Sequence, residues 1–167
     1  MNRSGAAWKR RALARMARTR RAMLAQLERM SEDALLSPRT QGDWSVKDLL
    51  AHIAAWEEEG TKRLALITRG HPERVHFYDD MRAVDRFNAR AVATAHRTSL
   101  AAMLRRLARV RRGLVATLRR LPSEALRDSS HRYPVATWLP EFAWTHEQSH
   151  LAEIKTWWRH ARGQRTS

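Results

Sequence analysis

The sequence predicts an all-α protein built as an antiparallel four-helix bundle. Apolar residues recur every three or four positions in four separate segments, which is the period of an amphipathic helix. No segment of useful length alternates polar and apolar residues as a half-buried strand does. Capping and helix-breaking residues separate the four segments. The length of 167 residues suits a single domain covering 1–167, and four amphipathic helices in one domain bury their faces together as a bundle.

The first two helices are defined by their apolar stripes and their ends. The stripe of helix one runs through 13–30, and Arg20 occupies its one gap. Helix two has the clearest start, because Ser45 followed three residues later by Asp48 resembles a capping box. Its stripe begins at Val46, and Gly70 with Pro72 ends it.

The second half of the chain predicts two more helices. Helix three is expected over 81–121, with a bend near Gly113, and a turn-rich segment follows at 122–136. Helix four is expected to start near Thr137, since Pro140 is tolerated in a first turn. In an up-down bundle of four helices, helices two and four run parallel.

Composition excludes several classes of protein. The chain has no cysteine, which excludes disulfides, thiolate metal sites and thiol nucleophiles, and which suits a reducing cytoplasm. No apolar run approaches the roughly 18 residues that a membrane span needs. Arginines interrupt the amino-terminal segment where a signal peptide requires an apolar core, so we expect a mature cytoplasmic protein without membrane contact.

The formal net charge of +15 comes mainly from arginine. Eight arginines fall within 1–30 and eight more within 97–120, which places them on helices one and three. Such arginine excess either reflects genome base composition or forms a surface for nucleic acid or another polyanion. Trp8 is the only aromatic residue in these two segments, so base stacking has little support. We expect an outer surface with weak, non-specific nucleic-acid binding.

Three of the eight histidines lie on predicted inner faces. His146 and His150 are four residues apart on the apolar line of helix four, so both rings point the same way. His52 lies on the inner side of helix two, at an overlapping depth. A single buried histidine is usually a hydrogen-bonded core residue, but three together are hard to satisfy in that way. One divalent metal ion in an open three-histidine site resolves the problem.

The segment HEQSH at 146–150 also matches the short zinc-protease pattern His-Glu-x-x-His. The wider protease context is missing, because Glu153 and Thr156 stand where a glycine and a third histidine would be needed. What remains is a chemical possibility at Glu147. It is either the general base beside a metal ligand or a solvated helix residue.

At this point the sequence resembles the DinB-like superfamily of four-helix-bundle metalloenzymes, including its YfiT-like members. The resemblance rests on DWSVKDLLAHIAAWEE at 43–58, VDRFNARAV at 84–92 and WTHEQSHLAEIKTWW at 144–158. The first two segments also resemble the ClbS/DfsB branch, in which the histidines are often missing. The resemblance implies a divalent ion, zinc or nickel, on His52, His146 and His150. It further implies a hydrolase or a thiol-dependent transferase that uses a low-molecular-weight thiol.

Two functional hypotheses remain open on the sequence: a metal-dependent enzyme acting on a small molecule, and a non-catalytic helical bundle that binds polyanions. In the first, the loops at 31–44 and 122–136 form the mouth of the site, with Trp44 and Tyr133 as candidate substrate contacts. Asp85 and Asn88 resemble a recurring family pair, and we expect them to form local hydrogen bonds. Trp157 and Trp158 are expected to pack in the core and at a homodimer interface.

Overall fold

The computed structural model describes residues 3–38, 40–128 and 134–163, and within them all the long elements are helices. The prediction of an all-α fold is confirmed. None of the helices in the described ranges is long and apolar enough to cross a membrane. The described residues form seven α-helices: α1 (Arg3–Leu27), α2 (Glu32–Leu36), α3 (Val46–Thr68), α4 (Met81–His96), α5 (Leu100–Arg120), α6 (Val135–Ala143) and α7 (Thr145–Gly163).

The start of α3 forms as its sequence predicts. The Ser45 hydroxyl accepts a hydrogen bond from the Asp48 backbone N–H at 3.2 Å, and the Asp48 carboxylate accepts one from the Ser45 N–H at 2.9 Å. This capping box satisfies two of the amides that a helix start leaves unpaired. At the other end, Gly70 adopts a φ of +80°, which is the left-handed conformation that commonly terminates a helix.

The predicted third helix is two helices. The chain leaves α4 at Arg97 and starts α5 after Ser99, whose hydroxyl accepts a hydrogen bond from the Ala102 N–H at 3.2 Å. The expected bend at Gly113 is absent as a helix boundary, since α5 continues unbroken from Leu100 to Arg120. The serine cap, rather than the glycine, interrupts the periodic segment.

This extra helix reverses the chain direction. On α4, His96 lies 3.3 Å from Asp48 and Asn88 binds Trp56, so α4 runs antiparallel to α3. The contacts between α3 and the chain leading into α5 advance in the same direction along both. Lys47 donates to the Thr98 carbonyl at 3.2 Å and Glu58 pairs with Arg106 at 2.8 Å, so α5 runs parallel to α3.

The carboxyl-terminal segment also differs from the expectation. A helix starting near Thr137 was expected, whereas α6 begins at Val135, contains Pro140 in its interior and ends at Ala143, before α7. Residues further along α3 contact residues that come earlier in the α6–α7 segment. The His52 ring lies 5.0 Å from the His150 ring, whereas Gly60 packs against Phe142. The predicted parallel arrangement of helices two and four is therefore wrong. The α6–α7 segment is antiparallel to α3, because the α4–α5 reversal adds one change of direction.

The bundle interior has two apolar clusters with a charged layer between them. One cluster packs the end of α1, the start of α3, the first half of α5 and the middle of α7. The other packs the first half of α1, the end of α3, the end of α5 and α6. Between them lie four buried side chains, one from each long helix: Arg20, Glu57, Arg111 and Glu147.

These four side chains form a buried ionic quartet. Arg20 donates to Glu147 at 2.5 Å and to Glu57 at 2.7 Å, and Arg111 donates to Glu147 at 2.5 Å and also to Glu57. Arg20 additionally donates to the Leu107 carbonyl at 3.0 Å. Burial raises the pKa of Glu57 even though both arginines lower it. The expectation that the arginines of helices one and three are all surface groups is wrong for Arg20 and Arg111.

Replacing Arg111 with methionine should lower the free energy of unfolding by about 3–5 kcal/mol, because it leaves two buried carboxylates with Arg20 as their one remaining counter-charge in the quartet. Arg112→Met is the matched control, since Arg112 is the exposed neighbour and its loss should change stability by only about 0.5 kcal/mol. Urea unfolding followed by circular dichroism measures both. Equal effects of the two substitutions would contradict a stabilising role for the quartet.

Candidate metal centre

The three predicted histidines converge in the bundle. His52 lies on the second turn of α3, and His146 and His150 lie on the first two turns of α7. The Nε2 atom of His146 is 2.8 Å from Nε2 of His52 and 3.0 Å from Nε2 of His150. One nitrogen from each ring falls within 4.8 Å of the others, so these side chains could hold a metal ion.

The donor set fits a metal better than it fits hydrogen bonds alone. In a neutral imidazole, each ring nitrogen carries either one hydrogen or one lone pair. Nε2 of His146 faces two other ring nitrogens, and a single hydrogen or lone pair does not satisfy both contacts. Nitrogens bound to one ion at about 2.0–2.1 Å in tetrahedral geometry lie about 3.3 Å apart, close to the observed spacing.

Two of the rings are held in the uncharged form that binds metals. Burial, with a smaller contribution from the neighbouring His150, lowers the pKa of His52 to about 4. Burial likewise lowers the pKa of His146 to about 3, with His150 and His52 contributing. At neutral pH both rings therefore present a lone pair, as ligation requires.

Glu153 is a functional candidate that the sequence analysis missed as such. Its carboxylate lies 2.7 Å from Nδ1 of His150, three residues earlier on α7. A carboxylate that accepts the Nδ1 hydrogen fixes the ring and leaves Nε2 free to bind a metal, which is the usual outer partner of a metal-binding histidine. The spacing i to i+3 on a predicted helix was the available signal.

Glu147 faces a different environment from the one expected. Its side chain is 1% exposed, so the alternative of a solvated helix residue is wrong. Both carboxylate oxygens accept hydrogen bonds from the buried Arg20 and Arg111. This geometry supports a structural role in the quartet, and the general-base role stays a prediction that no contact favours.

Aromatic and amide side chains surround the histidines. The ring of Trp44, in the loop before α3, lies 5.1 Å from His52, so this predicted substrate contact does adjoin the site. Trp56 donates to the Asn88 side-chain oxygen at 3.0 Å across the α3–α4 contact, whereas Asp85 is exposed. Tyr133, the other predicted contact, lies outside the described residues.

Two cavities open beside the histidine cluster. One, of about 390 Å³, is lined by the 41–44 loop together with His52, His150 and Asn88. The other, of about 650 Å³, has His52 and His146 on its wall. The cluster is thus reachable from both sides of His52. The remaining described histidines, 71, 76, 96 and 160, are exposed, and His131 lies outside the described residues.

The comparison with protein families settles the relationship. Residues 15–154 match the DinB superfamily, which is most of the chain and includes all three histidines. The chain belongs to the DinB superfamily. No curated protein and no solved structure matches it. The family resemblance drawn from the sequence is confirmed, and the histidine cluster of this DinB-superfamily protein is its candidate metal centre.

The metal-free DinB-superfamily protein should lose stability as the pH falls from 6.5 to 5. His52 has its pKa lowered on folding, so the unfolded chain binds more protons in this range and stability is fully present only above about pH 6.5. We expect His52 to account for about 1–2 kcal/mol of that loss. Chemical unfolding at several pH values, with chelator present, measures it.

The matched variants are His52→Phe and His160→Phe. The first removes one of the two rings whose pKa is lowered and should reduce the dependence of unfolding free energy on pH, while His146 keeps the remainder. The second changes an exposed ring on α7 and should leave the wild-type slope. Parallel curves for all three proteins would contradict the assignment to His52.

Proposed function

We propose that this protein is a metal-dependent enzyme that acts on a small molecule, either as a hydrolase or as a thiol-dependent transferase. The observation that carries the proposal is the convergence of His52, His146 and His150 on the wall of two cavities. Buried histidines at such close spacing are costly without an ion, and cavities beside them provide room for a substrate. Membership in the DinB superfamily supports the same reading.

The side chains divide into ligands and supporting groups. His52, His146 and His150 would hold one divalent ion, zinc or nickel, and that ion would supply Lewis-acid activation of a carbonyl, water or thiol. Glu153 holds the His150 ring through Nδ1. Trp44 and Trp56 flank His52 and limit the access of water to it.

The choice between hydrolase and transferase depends on what enters the cavities. The chain has no cysteine, so any thiol would have to come from a diffusible low-molecular-weight thiol. A transferase needs room for two reactants, and the cavities on the two sides of His52 offer it. Turnover that requires added thiol identifies a transferase, and turnover in water alone identifies a hydrolase.

Untagged protein grown in metal-replete medium should contain about one divalent ion per chain. His150→Ala should remove the ion and the activity while the helical content persists, because the apolar clusters hold the bundle. Glu153→Gln should weaken the metal by about 10–100-fold, as loss of an outer partner does. Mass spectrometry of the metal content and competition with a chelator measure these effects.

His160→Ala is the control for the metal measurements, since His160 is an exposed histidine on the same helix. It should retain one ion per chain with unchanged affinity. Wild-type protein that contains almost no metal, and takes up none when zinc or nickel is added, would refute the metal-dependent function.

A second candidate function is weak binding of polyanions. A groove of about 540 Å³ between the ends of α1 and α7 is lined by exposed Arg29, Lys155, Arg159 and Arg162, together with Gln26. Four cations facing one groove attract phosphate groups through long-range electrostatics. This groove is formed by the ends of α1 and α7 rather than by the arginine-rich face of α5.

Binding to a random DNA duplex should fall more than tenfold between 50 and 200 mM salt. Arg159→Ala should reduce the slope of log affinity against log salt by about one. Arg105→Ala, at an exposed position on α5, is the comparison and should reduce the slope less if the groove is the contact. Salt-independent binding that depends on base sequence would contradict this reading.

A further inference from the structure

The larger cavity beside the histidines is bounded mainly by apolar side chains. Its volume is about 650 Å³, and it lies between α3, α4, α6 and the segment that joins α3 to α4. Most of its lining is aromatic or aliphatic, and His52 and His146 form part of the wall. The aromatic and aliphatic lining residues are Trp56, Phe77, Tyr78, Met81, Val84 and Phe142.

One cation lies within this aromatic lining. The Arg63 side chain is 4% exposed, and its guanidinium carbon is 4.7 Å from the ring centre of Phe77 and 4.7 Å from that of Phe142. The aromatic faces stabilise the positive charge, although burial still lowers the pKa of Arg63. Arginine is the side chain best suited to such stacking, because its guanidinium is planar and weakly hydrated.

The hydrogen bonds of Arg63 leave one nitrogen unused. Nε donates to the His76 carbonyl at 2.9 Å, and Nη2 lies 3.3 Å from the Glu59 carboxylate. Nη1 is buried and has no hydrogen-bond partner among the described residues. A buried guanidinium nitrogen without an acceptor is costly, and an anionic ligand group would satisfy it. Glu141, the acidic residue in the lining of this cavity, is exposed.

The positions of Arg63 and the histidines along α3 determine how a ligand would be oriented in the cavity. Phe142 packs against both Gly60 and Arg63, which places the guanidinium near the level of Gly60 on α3. His52 is eight residues earlier on the same helix, about 12 Å along the axis. A flat ligand with an acidic group at one end would therefore place its other end near His52 and His146.

We propose that this cavity binds a small organic acid with a flat aromatic or conjugated body, whose carboxylate pairs with the guanidinium of Arg63. The body of the acid packs among Trp56, Phe77 and Phe142. The far end of the acid lies toward His52 and His146, and only this last point rests on the proposed metal-dependent function. Recognition of the carboxylate belongs to Arg63 and does not require an ion.

The probes are cinnamate and cinnamamide, which share a shape and differ in the charged group. Isothermal titration at 150 mM salt should show that metal-free wild-type protein binds cinnamate at least tenfold more tightly than cinnamamide. Arg63→Met should abolish this preference by weakening cinnamate alone. Lys62→Met removes the same charge from the exposed neighbouring side chain and should keep the preference.

The outcomes separate this inference from the metal-dependent function. Equal binding of the two probes by metal-free wild-type protein, or no binding of either, overturns the inference without any variant that must fold. A preference for cinnamate that appears only after zinc or nickel is added also overturns it, since the carboxylate then goes to the histidines. A preference for cinnamate in wild-type protein that takes up no added zinc or nickel supports the inference, while the failure to take up metal refutes the metal-dependent function.

Discussion

The buried ionic quartet is the constraint on which the rest of the bundle depends. Arg20, Glu57, Arg111 and Glu147 come from four different helices, and each arginine contacts both carboxylates. A buried charge is stable only when its partners are in place, so the four helices have one compatible register. Because His146 directly precedes Glu147, the quartet also fixes the turn of α7 that carries the first histidine of that helix. The buried ionic quartet and the candidate metal centre therefore lie next to each other in the bundle interior.

The histidine cluster formed although the predicted helix directions were wrong. Two rings four residues apart share a helix face whichever way the helix runs, and His52 needs only an inner face at the same level. The break at 97–99 changed the direction of every later helix relative to the prediction, but not the face on which His146 and His150 lie. The convergence of the three histidines therefore depended on helical periodicity, which can be recognised in the local sequence. Direction depended on a single serine cap within a continuous apolar repeat, where the pattern of apolar residues gave no warning.

The same distinction explains what the sequence could and could not predict about charge. Arg20 occupies the one gap in an apolar stripe, but the many arginines around it led us to expect an outer surface rather than burial. Its partners Glu57 and Glu147 lie 37 and 127 residues away, and no spacing rule connects residues so far apart. Glu153 was closer to prediction, because its contact with His150 spans three residues of one helix. Local pairs follow from helical geometry, whereas partners on different helices follow only from the packed structure.

Arginine serves different purposes in this protein according to what surrounds its nitrogens. Arg20 uses all three: Nε and Nη2 bind carboxylates and Nη1 binds a backbone carbonyl, so it has nothing left for a ligand. Arg63 is as deeply buried, yet its charge rests on aromatic faces and Nη1 stays unpaired beside a cavity. Burial alone thus does not separate a structural arginine from a recognition residue. An unpaired donor alone does not separate them either, because Nε of Arg111 in the quartet is also buried without a partner among the described residues. The difference at Arg63 is that the side chain lines a cavity, where an organic acid would bring the missing acceptor.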